Sequence, residues 1–85
     1  MTKGILTLVT QKNCSKCRKA EEMLKQAGLQ FKEVDASSKT GRTFAASKCI
    51  ILTPTLILSD SDGTEICRAA SEEEIKDMIK SSEFF

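Results

Sequence analysis

The sequence predicts an α/β fold with the element order β-α-β-α-β-β-α, in which a four-stranded mixed sheet carries helices on both faces. Short apolar runs rich in β-branched residues alternate with stretches whose apolar residues recur at helical spacing. The first strand, helix and strand form a β-α-β unit, so their strands should be parallel with a right-handed crossover. Asp60 to Gly63 is a strong hairpin turn, which predicts that the last two strands are antiparallel.

Composition and charge fit a small globular protein. Of the 85 residues, 40% are hydrophobic and 29% are charged, and this length predicts one domain over residues 1–85. The formal net charge of +1 gives no global attraction to nucleic acid or to a membrane surface. No apolar run approaches the roughly 20 residues of a membrane span, and the opening MTKGILTLVT lacks a signal-peptide pattern. We therefore expect a cytoplasmic protein, whose four cysteines are catalytic or metal-binding rather than structural disulfides.

The first half of the chain predicts strand, helix and strand. Ile5 to Thr10 is a β-rich apolar run and predicts a buried strand. Asn13-Cys14-Ser15 has helix-start chemistry, and Gly28 is suited to the position just past the helix end. Leu29 to Val34 alternates in part, which predicts a second strand that ends near Asp35. The buried stripe of the helix is expected at Cys17, Ala20, Met23, Leu24 and Ala27.

The second half predicts a weaker helix and a β-β-α end. Ser37 to Gly41 indicates a turn, and the helix is expected over Thr43 to Lys48 or from a start nearer Thr40. Strands are expected over Thr55 to Ser59 and Thr64 to Arg68. The last helix should begin with a capping box of Ser71 and Glu74 and should bury Ile75, Met78 and Ile79.

A cysteine pair, Cys14-Ser15-Lys16-Cys17, lies where the first strand gives way to the first helix. A helix N-terminus carries about half a positive charge and unpaired N–H groups, and both stabilise a thiolate. Basic neighbours add to this effect. We expect Cys14 to be exposed and to attack a disulfide, and Cys17 to lie on the buried stripe and resolve the mixed disulfide. The basic neighbours are Lys12, Lys16, Arg18 and Lys19.

Other interpretations of the cysteines stay open. A zinc or iron–sulfur site is one alternative, although Cys49 and Cys67 are 18 positions apart and the chain has no histidine. A module that keeps the fold without turnover is another. Cys67 is expected to be a small buried residue of a strand, whereas Cys49 is expected either to pack or to have an auxiliary redox role.

Thr53-Pro54 is a candidate for the second half of the site. Proline at the start of a buried strand is compatible with a cis or a trans bond, and the local residues do not choose between them. A cis bond would leave the Thr53 backbone pointing outward beside the thiols, where it would pair with an extended substrate as an added strand.

These features together resemble the glutaredoxin/thioredoxin family over nearly the whole chain. Cys14, Cys17 and Thr53-Pro54 stand at the family's usual separation. The resemblance implies a thioredoxin-like fold, a nucleophile at Cys14, a resolving cysteine at Cys17 and a cis bond at Pro54. The length is similar to that of glutaredoxins, whereas the proline-initiated strand with its hairpin is more similar to that of thioredoxins.

The function expected from this resemblance is thiol–disulfide oxidoreduction of protein disulfides by a monomer with no resident cofactor. The reductant is expected to be glutathione, as a co-substrate, or a flavoprotein reductase. The N-terminus of the last helix has free N–H groups for a carboxylate, although three glutamates follow it. The candidate substrate-binding residues are Lys12, Lys16, Thr53, Pro54 and Ser71.

Overall fold

The computed structural model describes residues 4–81 and has the predicted element order. The strands are β1 Ile5–Thr10, β2 Lys32–Asp35, β3 Thr55–Ser59 and β4 Glu65–Ala69. The helices are α1 Ser15–Gln26, α2 Lys39–Ser47 and α3 Glu72–Lys80. Within the described residues, no helix is both long and apolar enough to cross a membrane.

The four strands form one mixed sheet in the order β2-β1-β3-β4. β1 is parallel to β2, with Leu8 opposite Glu33, and antiparallel to β3, with Leu8 opposite Leu56. β3 and β4 are antiparallel, with an irregularity between Leu58 and Ser59. The parallel first pair and the antiparallel hairpin are therefore confirmed. β1 and β3 occupy the centre of the sheet, and the chain leaves β1 directly into the cysteine pair.

The core lies mainly between the sheet and the two helices α1 and α3. Leu8, Leu24, Leu56 and Ile75 are completely buried there. Val9 points to the opposite face by strand alternation and is also completely buried, so both faces of the sheet are covered. Burying one such side chain stabilises the fold by about 1.5–3 kcal/mol. The core cluster consists of Leu6, Leu8, Ala20, Leu24, Leu56, Leu58, Ala69 and Ile75.

α1 ends as Gly28 predicts, but β2 begins three residues later than expected. Gly28 has φ 73°, its N–H donates to the Lys25 carbonyl, and the Leu29 N–H donates to the Leu24 carbonyl. The Leu29 N–H therefore closes the helix end and is not available to the sheet. Ala27 caps the helix and is exposed, so its place in the buried stripe was wrongly predicted.

α2 begins at Lys39, one residue before the alternative predicted start at Thr40 and four residues before Thr43. The Ser38 hydroxyl accepts from the Gly41 N–H at 3.0 Å and donates to the Asp35 carbonyl at 2.7 Å. A Cβ at Gly41 would collide with that same carbonyl, so this glycine permits close packing of α2 on the end of β2. The residues that indicated a turn are therefore the cap and first turn of a helix.

The end of the chain follows the prediction with small shifts. β4 starts and ends one residue later than expected, and Ser71 caps α3 by accepting from the Glu74 N–H at 3.2 Å. The Glu74 carboxylate accepts from the Ala70 N–H rather than from that of Ser71, so the capping box is only half formed. Ile75 is buried, and Met78 and Ile79 are partly buried against the core.

Candidate active site at the N-terminus of α1

Cys14 occupies the cap position of α1, and its sulfur accepts from the Cys17 backbone N–H at 3.1 Å. Asn13 precedes it with φ 57°, a left-handed conformation that asparagine tolerates better than most residues. This sharp turn carries the chain from β1 into α1 and presents the Cys14 sulfur to the helix N-terminus. The helix dipole and the donated N–H both favour the thiolate form of a sulfur held there.

Cys14 and Cys17 are joined by a disulfide, with their Cα atoms 5.2 Å apart. Cys17 is 2% exposed, whereas Cys14 is partly exposed. The pair thus has an outer and an inner sulfur, as a nucleophile and a resolving group require.

Thr53 and Pro54 lie beside the pair although they are far from it in sequence. The Thr53–Pro54 peptide bond is cis, and the Thr53 hydroxyl lies 4.0 Å from the Cys14 sulfur. Pro54 is buried, while Ile51 and Leu52 just before it are 91% and 62% exposed. Partly exposed Thr53 therefore lies next to the outer sulfur, and an exposed apolar pair precedes it in the chain.

A polar cleft of about 300 Å³ opens on the other side of the cysteine pair, and we call it the cysteine cleft. Residues of β1, of the β1–α1 turn, of α1 and of β2 all contribute to it. Because β1 and β2 are parallel neighbours, the end of β2 lies next to the turn that carries Cys14. The lining residues are Thr10, Gln11, Lys12, Asn13, Cys14, Cys17, Arg18, Glu21, Glu33 and Asp35.

Carboxyl groups form one side of the cysteine cleft. Partial burial, and then a hydrogen bond and charge repulsion from Glu33, raise the pKa of Glu21 above its ordinary value. The Thr10 hydroxyl donates to Glu33 Oε2 at 3.3 Å. Asp35 differs, because hydrogen bonds from the Ser37 hydroxyl and backbone N–H lower its pKa.

The predicted substrate-binding residues are not all gathered in one place. Lys12 lines the cysteine cleft, and Thr53 and Pro54 lie on the far side of the pair. Lys16 is exposed in the first turn of α1 and is not part of the cleft lining. Ser71 likewise lies outside the cleft lining and caps α3.

An ion pair engages one of the basic residues that were expected to stabilise the Cys14 thiolate. The Lys19 ammonium lies 3.2 Å from the Glu72 carboxylate of α3, so it links two helices at the surface. Arg18 lines the cysteine cleft and has the better position to influence the pair.

Cys67 is exposed and free, which makes the predicted burial of this residue wrong. β4 is the edge strand of the sheet, and Cys67 lies outside the core cluster even though Ala69 on the same strand is inside it. Cys49 is also exposed and free. Among residues 4–81, no group of three or more His, Cys, Asp or Glu side chains is placed to hold a metal ion.

Glu21 and Glu33 are site residues that the sequence reasoning missed. Glu21 follows Cys17 by four positions, and that spacing places two side chains on one face of a helix. Glu33 carries no comparable signal, because only the β1–β2 register brings it to the cleft.

Comparison with solved structures identifies the architecture. Thioredoxin 1 from Thermosipho africanus superposes with a TM-score of 0.71 and 23% identity, over 93% of this chain and 90% of that chain. Thioredoxin f from spinach chloroplast gives a TM-score of 0.76 and 13% identity, over 96% and 78% of the two chains. The chain has the thioredoxin fold.

Thioredoxin-2 of a malaria parasite extends the likeness, with a TM-score of 0.75 and 19% identity, over 99% of this chain and 84% of that chain. These structures are thioredoxins, so the thioredoxin fold implied by the sequence is confirmed, whereas the glutaredoxin branch stays a prediction. No protein-family model matches the sequence, and no curated protein matches it either. The Cys14–Cys17 disulfide on a thioredoxin fold is consistent with thiol–disulfide chemistry.

Proposed function

We propose that this protein is a thiol–disulfide oxidoreductase that reduces protein disulfides by dithiol exchange. The observation that carries the proposal is the position of the Cys14 sulfur, which caps α1 within bonding distance of the buried Cys17. The reduced protein would attack a substrate disulfide with the Cys14 thiolate, which releases one substrate sulfur and forms a mixed disulfide. Cys17 would then attack Cys14, which releases the second substrate sulfur and leaves the disulfide of the present structure.

Substrate binding is proposed on both sides of the outer sulfur. The Thr53 backbone before Pro54 would pair with an extended substrate segment, because Thr53 is partly exposed and its hydroxyl lies next to the Cys14 sulfur. Lys12 and Lys16 would attract acidic groups near the substrate disulfide, as both are exposed. Ser71 is a weaker candidate, since its hydroxyl already accepts the Glu74 N–H.

The electron source is proposed to be a flavoprotein reductase or glutathione, and the protein to act as a cytoplasmic monomer of one domain. Glu72, Glu73 and Glu74 form the first turn of α3, where they oppose binding of an anionic tripeptide at that helix N-terminus. This charge favours a protein reductant over glutathione.

Reduction of insulin disulfides by dithiothreitol tests the proposal. The protein should accelerate insulin precipitation, and Cys14→Ser should abolish the acceleration. Cys49→Ser is the matched control and should retain it, because Cys49 lies outside the pair. A parallel assay of glutathione-dependent reduction of a small mixed disulfide chooses between the two reductants. An inactive protein, or stoichiometric zinc or iron bound by the Cys14–Cys17 pair, would overturn the proposal.

Cys17→Ser should make the protein accumulate as a mixed disulfide with its substrate. Without the resolving sulfur, the mixed disulfide between Cys14 and its substrate accumulates. Non-reducing electrophoresis of the variant with oxidised insulin should show a covalent adduct that dithiothreitol removes. Cys14→Ser/Cys17→Ser should form none, whereas an adduct that formed equally well in this double variant would assign the reactivity to Cys49 or Cys67.

A further inference from the structure

The inner sulfur of the pair has a different environment from the outer one. Cys14 caps α1 and accepts a backbone N–H, whereas Cys17 lies inside the first turn and is 2% exposed. Burial favours the neutral thiol over the thiolate. To attack the mixed disulfide, Cys17 must still lose its proton. A proton acceptor within reach of this sulfur is therefore a chemical requirement of the resolving step.

The cysteine cleft offers such an acceptor. Glu21 follows Cys17 by one helical turn, a spacing that separates Cβ atoms by about 5–6 Å, and both residues line the cleft. Glu33 of β2 lines the same cleft, and its proximity helps to raise the pKa of Glu21. The Thr10 hydroxyl donates to Glu33, which fixes this second carboxyl group in the cleft.

The groups around Glu21 act on its pKa in opposite directions. Burial and Glu33 raise its pKa, while Lys25 and Arg18 on the same helix act in the opposite direction. Lys12 and Asp35 are the other ionisable groups of the lining besides the cysteines and carry opposite charges. The net effect is a raised pKa, which makes Glu21 a stronger proton acceptor than an isolated glutamate.

We propose that Glu21, supported by Glu33, is the general base of the resolving step. This inference rests on the proposed function. The Cys17 thiol gives its proton to the Glu21 carboxylate, directly or through water in the cleft, and the proton is then shared with Glu33. The Cys17 thiolate attacks the Cys14 sulfur, a Cys14–Cys17 bond forms, and the bond from Cys14 to the substrate breaks. The substrate sulfur leaves with the electron pair, so the protein pair is oxidised as the substrate disulfide is reduced.

Stopped-flow reaction with bis-thionitrobenzoate, a disulfide that releases a coloured thiolate, separates the two steps. The first release reports attack by Cys14 and depends on reagent concentration, and the second reports resolution by Cys17 and does not. Glu21→Gln should slow the second release by about 10-fold or more at neutral pH, since a general base typically contributes at least about 100-fold. It should leave the first release within about twofold, because the Cys14 cap does not involve Glu21.

The pH profile distinguishes a proton acceptor from a structural residue. In the native protein, the rate of the second release should rise with pH as Glu21 loses its proton and then level off. In Glu21→Gln this rise should move to higher pH, where Cys17 ionises unaided. Glu33→Gln removes the β2 carboxylate that helps to raise the pKa of Glu21, and it should slow the second release to a smaller extent. Glu22→Gln, an exposed neighbour outside the cleft lining, is the matched control and should have no effect.

The outcomes separate this inference from the proposed function. Absence of the first release from the native protein would refute the oxidoreductase itself. A normal first release, with a second release that is equally fast and has the same pH profile in Glu21→Gln and in the native protein, would overturn only the role of Glu21. Circular dichroism checks that Glu21→Gln is folded, and Glu33→Gln provides the same test if it is not.

Discussion

At the scale of single residues, the four cysteines differ mainly in what surrounds them. Cys14 and Cys17 share a disulfide, and Cys49 and Cys67 are exposed thiols. The sequence identified the first pair because its position between a strand and a helix has a direct chemical meaning. It failed for Cys67 because the neighbours Ile66 and Arg68 do not reveal that β4 is an edge strand. Burial there depends on which strands and helices lie alongside, and that is a tertiary property.

The rates of alkylation should reflect these differences among the four cysteines. Iodoacetamide applied to the oxidised protein should modify only Cys49 and Cys67, because both are exposed thiols. After reduction, Cys14 should react at least about 10-fold faster than Cys17, since a thiolate at a helix N-terminus is reactive and a buried thiol is inert. Peptide mass spectrometry over a time course measures the four rates. Equal rates for Cys14 and Cys17 would contradict the assignment of an outer and an inner sulfur.

At the scale of elements, the ends of the helices carry most of the difference between prediction and structure. The sequence located α1 and α3 well, since each has a cap residue and an apolar stripe at helical spacing. It left the start of α2 open between Thr43 and a position nearer Thr40, because Ser38 and Gly41 are typical both of turns and of helix first turns, and the helix begins at Lys39. Only the packing of α2 against the Asp35 carbonyl decides between these two uses.

The C-terminus of α2 provides a stability test. Cys49 has φ 55°, its N–H donates to the Ala46 carbonyl, and the Ile50 N–H donates to the Ala45 carbonyl. This is the position at which glycine is preferred, because a Cβ disfavours the left-handed conformation by about 1–2 kcal/mol. Glycine at this position would remove that cost, but its greater freedom in the unfolded chain would offset about 0.4–1 kcal/mol of the gain in stability.

Cys49→Gly should therefore raise the free energy of unfolding by about 0.5–1 kcal/mol. Urea unfolding followed by circular dichroism measures it. Cys49→Ser is the matched control, since it removes the thiol but keeps the Cβ, and its stability should stay close to that of the native protein. If Cys49→Gly were less stable than Cys49→Ser, the left-handed conformation at residue 49 would be in error.

At the scale of the whole molecule, the site is assembled by strand register. Thr53 meets Cys14 across 39 positions of sequence, and Glu33 reaches the cysteine cleft because β2 is parallel to β1. The cysteine pair and the proline each carry a local signal, so both could be predicted. The carboxyl group from β2 has no such signal, since a shift of the register by one residue would direct it to the other face.

The raised pKa of Glu21, caused by burial and then by Glu33, should also appear in the stability of the whole fold. The folded pKa of Glu21 lies above its ordinary value of 4.5, so the folded state binds more protons than the unfolded state between these two values. The free energy of unfolding should therefore fall as the pH rises through that window. Asp35, Glu65 and Glu72 have lowered pKa values in the folded state. Their contribution to the free energy of unfolding is therefore lost only as the pH falls below their ordinary pKa values.

Glu21→Gln should remove the decline on the alkaline side of this window while keeping the loss of stability in acid. The physical reason is that glutamine neither takes up the proton nor repels the Glu33 carboxylate. Urea unfolding of the oxidised protein at a series of pH values measures the effect, with Glu22→Gln as the control that should behave like the native protein. If the free energy of unfolding changed with pH in the same way in the native protein and in Glu21→Gln, neither burial nor Glu33 would raise the pKa of Glu21 in the folded state. In that case, Glu33 would also have no means of raising the proton affinity of the proposed base.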